Sequence, residues 1–130
     1  MNDIYLNSFK EVLKKDTVLY LKAQDNANSI NNYLTKTFKK VLVTQNTHEV
    51  MDIFLDNVID ILIVDIYIPS KDRINILKEI KKLATDLPVL VVLNDMNLKE
   101  TVNLLEFGIG HIILKPVEIK ILLKEINKVY

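Results

Sequence analysis

Asp65 and Lys115 are the residues of this 130-residue chain whose types and placement together suggest chemistry. Each closes a short apolar run, Asp65 after Ile61-Leu-Ile-Val64 and Lys115 after Ile112-Ile-Leu114. A carboxylate so placed can accept a phosphoryl group or bind a cation, and an ammonium opposite it can hold phosphoryl oxygens. A plainer reading makes Asp65 a turn residue and Lys115 a surface base, and spacing alone favours it. Other chemistries are poorly served. The chain has no cysteine, which removes thiolate nucleophiles, disulfides and thiolate zinc sites, and His48 and His111 alone are too few for a metal cluster. Ser29 and Ser70 lack His-Asp partners for triad chemistry. The stretch from Lys22 to Ser29 has no glycine, so it is neither a P-loop nor a dinucleotide fingerprint. Glu49, Asp52, Asp56 and Asp60 form an acidic stripe at helical spacing that reads as a solvated face, and the two histidines read as hydrogen-bonded structural residues.

The elements that must position Asp65 and Lys115 are legible from hydrophobic period. Val18 to Leu21, Val41 to Val43, Ile61 to Val64, Val89 to Leu93 and Ile112 to Leu114 are short, rich in β-branched residues and almost free of polar alternation, the pattern of strands buried on both faces of a parallel sheet. Helical period links them: Ala27, Ile30, Tyr33, Leu34 and Phe38; Val50, Met51, Phe54, Leu55 and Val58; Ile74, Leu77, Ile80 and Ala84; Leu98, Val102 and Leu105; Ile119, Leu122, Leu123 and Ile126. Asp25 or Asn26, Thr47, Asp72, and Asn97 with Glu100 supply helix-start signals. Alternating strands and helices predict a doubly wound α/β sandwich with right-handed crossovers. In such a sheet, ligands sit beyond the carboxyl ends of the strands, where Asp65 and Lys115 fall.

Composition narrows the partners. The 17 basic and 17 acidic residues cancel, so the domain lacks the basic excess with which nucleic-acid modules displace phosphate counterions. No nucleic-acid partner is expected through this domain. The longest apolar run, Leu87 to Leu93, is far short of the roughly 20 residues a membrane span needs. Met1-Asn-Asp-Ile-Tyr5 has no signal-peptide architecture, so the expected compartment is the cytoplasm. Two glycines and three prolines exclude disordered and linker-rich classes. Residues 1–15, with Ile4, Leu6, Phe9 and Leu13 beside Lys10, Lys14 and Lys15, read as an amphipathic N-terminal arm, helical segment or linker, with a dimer or partner contact as the alternative. Residues 16–130 form the domain proper.

Ile61 to Ile80, ILIVDIYIPSKDRINILKEI, resembles the third strand, phosphoacceptor loop and third helix of the receiver domains of bacterial two-component response regulators. Leu87 to Val92 resembles their fourth strand, and Leu114-Lys-Pro-Val117 their lysine-proline signature, whose peptide bond is typically cis. The resemblance covers about residues 16–130 and implies a flavodoxin-like (βα)5 sheet of strand order 2-1-3-4-5. It implies that Asp65 is the phosphoacceptor position, Lys115 the family's lysine, Tyr67 the residue whose backbone carbonyl helps bind magnesium, and Pro69 and Pro116 the loop and cis prolines. Implied partners are a histidine kinase or an output domain, with a homodimer as a further option.

The departures from that pattern are concentrated at the site. Where the family ends its first strand with two acids, the frame Val18-Leu19-Tyr20-Leu21 places Lys22 and Ala23; only a two-residue slip would put Asp25 there. The switch hydroxyl of the fourth strand falls on Leu93 and the switch aromatic of the fifth on Ile112, while Arg73, the only arginine, stands where glycine is common. Asp65 then contributes one negative charge and Lys22 and Lys115 two positive ones. Magnesium should be repelled, and no metal or other cofactor is expected; if one bound, Asp65 and the Tyr67 carbonyl would hold it. Lys22 is expected to take the cation's place beside Asp65, where two unit charges about 4 Å apart attract by roughly 4 kcal/mol gross at an effective dielectric near 20. The favoured reading is a non-enzymatic, atypical receiver acting through protein contacts. The alternatives are a working receiver phosphorylated on Asp65, with magnesium as its cofactor, and a flavodoxin-like domain binding a small ligand or anion.

Overall fold

The structure, a computed structural model, describes residues 16–23, 29–67, 71–94 and 98–129. The arm expected over 1–15, Pro69, and the helix-start signals at Asp25, Asn26 and Asn97 lie outside them. Five strands, β1 (Thr17–Leu21), β2 (Lys40–Thr44), β3 (Ile61–Ile66), β4 (Val89–Leu93) and β5 (Ile112–Leu114), alternate with five helices, α1 (Ser29–Thr37), α2 (Thr47–Asp56), α3 (Lys71–Leu83), α4 (Leu98–Glu106) and α5 (Ile119–Val129). All strand pairs are parallel, in the order β2-β1-β3-β4-β5.

Successive side chains along a strand point to opposite faces, so every strand here feeds two cores. Leu19, Leu21, Leu62, Val64, Val89, Val91 and Leu93 meet Val50 of α2, Ile74, Leu77 and Ile80 of α3 and Leu104 of α4. The alternate residues, Val18, Tyr20, Ile61, Ile63, Leu90, Val92 and Ile113, meet Ile30 and Leu34 of α1 and Leu122 and Ile126 of α5. Every residue of β3 and β4 is buried, which is why these runs carry no polar alternation. The expected flavodoxin-like doubly wound sheet is the one found.

Several local expectations shift. β3 runs on to Ile66, so Asp65 lies inside the strand and not after it. The cap of α2 is Asn46, not Thr47: Asn46 has extended φ and ψ, and its side chain accepts from the His48 backbone N–H. Asp72 sits in the first turn of α3 and does not cap it. Val58 follows the end of α2 and is 84% exposed, while on α4 the buried residue is Leu104 and Val102 and Leu105 are exposed. The acidic stripe is not simply solvated. Glu49 accepts from the Thr44 hydroxyl, and Asp60 accepts from the Thr17 backbone N–H at the start of the sheet. Among the described residues, no helix is long and apolar enough to cross a membrane.

Candidate functional site

The carboxyl ends of β1, β3, β4 and β5 open onto a cleft of about 980 Å³. Asp65 forms part of its floor. It is 2% exposed, because the β3–β4 register sets it opposite Val92 near the carboxyl end of a fully buried strand pair. Lys115 reaches it from the other side. Its backbone N–H donates to the Leu93 carbonyl at 2.9 Å, which continues the β4–β5 ladder one residue past β5 and fixes where the side chain starts. Its Nζ lies 2.8 Å from Asp65 Oδ2, with 27% of the lysine side chain exposed. The Lys115–Pro116 peptide bond is cis.

The second cation in the cleft is Arg73, from the first turn of α3. Its guanidinium is buried and donates to three main-chain carbonyls: Nη1 to Asp65 at 2.6 Å and to Leu21 at 3.4 Å, and Nη2 to Gln45 at 3.0 Å. These carbonyls belong to the ends of β3 and β1 and to the residue after β2, three neighbours in the sheet. A planar fork with five donors can span them where a single ammonium could not. Burial pulls the guanidinium below its ordinary pKa, while the charge of Asp65 acts to raise it. Arginine nevertheless stays protonated in proteins.

Of the other expected residues, Tyr67 and Ala23 line the cleft, Tyr67 as a largely exposed side chain. Lys22 follows β1 in the frame read from the sequence, its N–H donating to the Thr44 carbonyl, and the Asp25 slip does not occur. Lys22 is not among the described residues lining the cleft, where Lys115 pairs with the Asp65 carboxylate and Arg73 with the Asp65 carbonyl. Asp65, Asp72, Arg73 and Lys115 are charged side chains among the described residues lining the cleft. Leu93 is fully buried in the core, and the polar group at that strand end comes from Asn94. Ile112 packs, half-buried, against the same core.

Arg73 is a cleft residue that stood out in the sequence but whose partners did not. Its partners lie 8, 28 and 52 positions away in the chain, so no local pattern announces them. Two signals pointed toward it: it is the only arginine, and it opens the helix that follows the loop after Asp65. His48 also borders the cleft, through the start of α2. His111 instead lies 3.6 Å from Glu125 of α5 and accepts through its carbonyl from Val91, as a structural residue does.

Comparison with known proteins matches residues 22–127 to the response regulator receiver domain family. A probable C4-dicarboxylate response regulator, DctR of Bacillus subtilis, is 31% identical over 119 residues, covering 88% of this chain and 52% of that protein. The chain thus spans about half the length of this curated relative. Among solved structures, the chemotaxis response regulator CheY4 of Vibrio cholerae superposes with a TM-score of 0.76 at 16% identity, covering 89% of this chain and 99% of that one. The non-phosphorylated HemR receiver domain of Leptospira biflexa gives 0.75 at 21% identity, over 88% and 94% of the two chains. A response regulator receiver domain from Clostridium thermocellum gives 0.71 at 25% identity, over 88% and 93%.

Proposed function

Since this chain belongs to the response regulator receiver domain family, we propose that it is a non-enzymatic, cytoplasmic two-component signalling domain in which magnesium-dependent phosphorylation of Asp65 is impaired and output runs through protein contacts. The observation that carries this reading is the donor set at the strand ends. β1 delivers Lys22 and Ala23 where the family delivers two acids, which leaves the Asp65 carboxylate, itself bound to Lys115 at 2.8 Å. Among the described residues no three His, Cys, Asp or Glu side chains converge to hold a metal ion, and the Asp65 carbonyl already accepts from Arg73. This donor set does not fit a hard divalent cation, which needs several anionic oxygens around it. Phosphoryl transfer relies on positioning and on neutralising charge at the transferred group, and the loss falls on both.

The switch is impaired in the same reading. Signalling by modification needs an element with two states that contact the modification differently. Leu93 offers the phosphoryl position no hydrogen bond, and Ile112 is held in the core. The proposed partners are proteins, a histidine kinase or an output domain, or a second copy of the chain, and not nucleic acid. A second reading, a working phosphoacceptor, is favoured by one feature, the retained Asp65–Lys115 pair. Incubating the full chain with acetyl phosphate and magnesium, and separately with beryllofluoride, distinguishes the two. We expect an unchanged intact mass and unchanged backbone amide spectra; a single phosphoryl adduct on Asp65 would establish the second reading and overturn the first.

A further inference from the structure

A buried guanidinium with three carbonyl acceptors is an unusual thing to find at the mouth of a parallel sheet. Desolvating a positive charge is costly unless hydrogen bonds and opposite charge compensate it. Here the compensation is drawn from separate parts of the chain: the Leu21 carbonyl ends β1, the Gln45 carbonyl precedes the Asn46 cap of α2, and the Asp65 carbonyl lies near the end of β3. Asp65 adds a carboxylate charge nearby. Carbonyl and carboxylate oxygens converging from several strand ends are the ligand set of a hard cation. In this chain three such carbonyls converge on a side chain.

We infer that Arg73 is a resident cation of the cleft, tying the ends of β1, β2 and β3 together so that this end of the domain holds one arrangement without any metal. The inference rests on the reading of the cleft as an atypical receiver site, and it adds the means by which that site is kept formed. Arg73 acts as a positioning residue: the Gln45 bond holds the loop that starts α2, the Leu21 bond holds the segment leading to Lys22 and Ala23, and the Asp65 bond holds the strand that carries the carboxylate. A partner reading the loops around the cleft meets the same surface at any magnesium concentration.

Because Arg73 is the only arginine, its side-chain nitrogen signals are unambiguous in the full 130-residue chain. In the wild type we expect separate, slowly exchanging Nη resonances; one averaged, fast-exchanging signal would overturn the inference. In Arg73→Ala the carbonyl carbon shifts of Leu21, Gln45 and Asp65 should move together, and millimolar methylguanidinium should move all three back, whereas methylammonium should not. Changes confined to the first turn of α3 would mean that Arg73 ties nothing at a distance. If Arg73→Ala fails to fold, Arg73→Lys serves in its place, and it should lose the Leu21 and Gln45 shifts while keeping the charge. Magnesium added to the wild type should leave the three carbonyls unchanged, and a saturable shift of all three would show metal displacing the side chain. The two readings fail separately. Phosphorylation of Asp65 with the carbonyl ties intact removes the impaired-receiver reading alone, and a freely rotating Arg73 in a chain that resists phosphorylation removes the resident cation alone.

Discussion

Replacing Lys115 with Met keeps most of the aliphatic stem and removes the charge that lies 2.8 Å from Asp65 Oδ2. At that separation the gross attraction at an effective dielectric of 20 is about 6 kcal/mol, most of which only offsets desolvation of the two ions. Removing one partner of a fully buried pair costs about 3–5 kcal/mol, chiefly because the other charge is left behind. Two features of the cleft lower that figure. A quarter of the lysine side chain reaches solvent, and Arg73 remains beside Asp65 to balance it. We expect a loss of about 2–3 kcal/mol, which for a domain of this length lowers the thermal midpoint by roughly 7–11 °C. The assay is a double-mutant cycle in urea with Lys115→Met, Asp65→Asn and the double variant, since the cycle isolates the pair from the rest of the cleft. Asp65→Asn alone should cost less, because its partner can turn toward water. A coupling energy below about 0.5 kcal/mol would refute the reasoning and show that Arg73, not Lys115, is the counter-charge that matters.

Two further outcomes concern the framework around the cleft. Asn46→Ala removes the acceptor for the His48 N–H at 2.9 Å and should destabilise by about 1 kcal/mol in chemical denaturation, with Asn46→Ser close to wild type; equal losses in both would count against the cap. The Tyr33 hydroxyl is buried, and that burial raises its pKa above the ordinary 10.0 against the opposing effect of a Thr37 side-chain hydrogen bond. A raised folded-state value means that the stability from keeping the phenol neutral is complete below pH 10 and is lost as pH climbs through the folded value. Tyr33→Phe should change stability by no more than about 1 kcal/mol at pH 7 and should lose less stability in alkali; identical alkaline losses in the two proteins would contradict this.

The topology could be read from the sequence because strands buried on both faces have no solvent side to encode, and runs such as Val89 to Leu93 leave few alternatives. The frame of β1 was readable for a related reason, since a one-residue slip would exchange the two faces of Val18 to Leu21, each of which meets a different core. Helix starts were less certain. Asn46 and Thr47 are both good caps, and the choice depends on backbone angles that composition does not specify. The site divides the same way. Asp65 and Lys115 lie at the carboxyl ends of β3 and β5, which flank β4, and so reach the same cleft. The cation expected beside Asp65 was Lys22, because it stands where the resemblance puts the acids that end the first strand. The role of Arg73 was not legible, because its fork reaches three carbonyls that come together only after β1, β2 and β3 are side by side.

The order of the sheet also bears on how the molecule avoids uncontrolled association. Among the described residues its two edge strands are β2 and β5, and neither offers much of a template for another chain's strand. β5 has three residues, and β2 opens on the exposed Lys40 directly after the exposed Lys39. Short edges and edge lysines are the usual defences against strand-by-strand growth. The wholly buried strands β3 and β4, the segments most prone to cross-β pairing if exposed, are kept away from both edges. Contacts made by the folded domain are thereby left to its helices and loops, where side chains and not backbone ladders choose the partner.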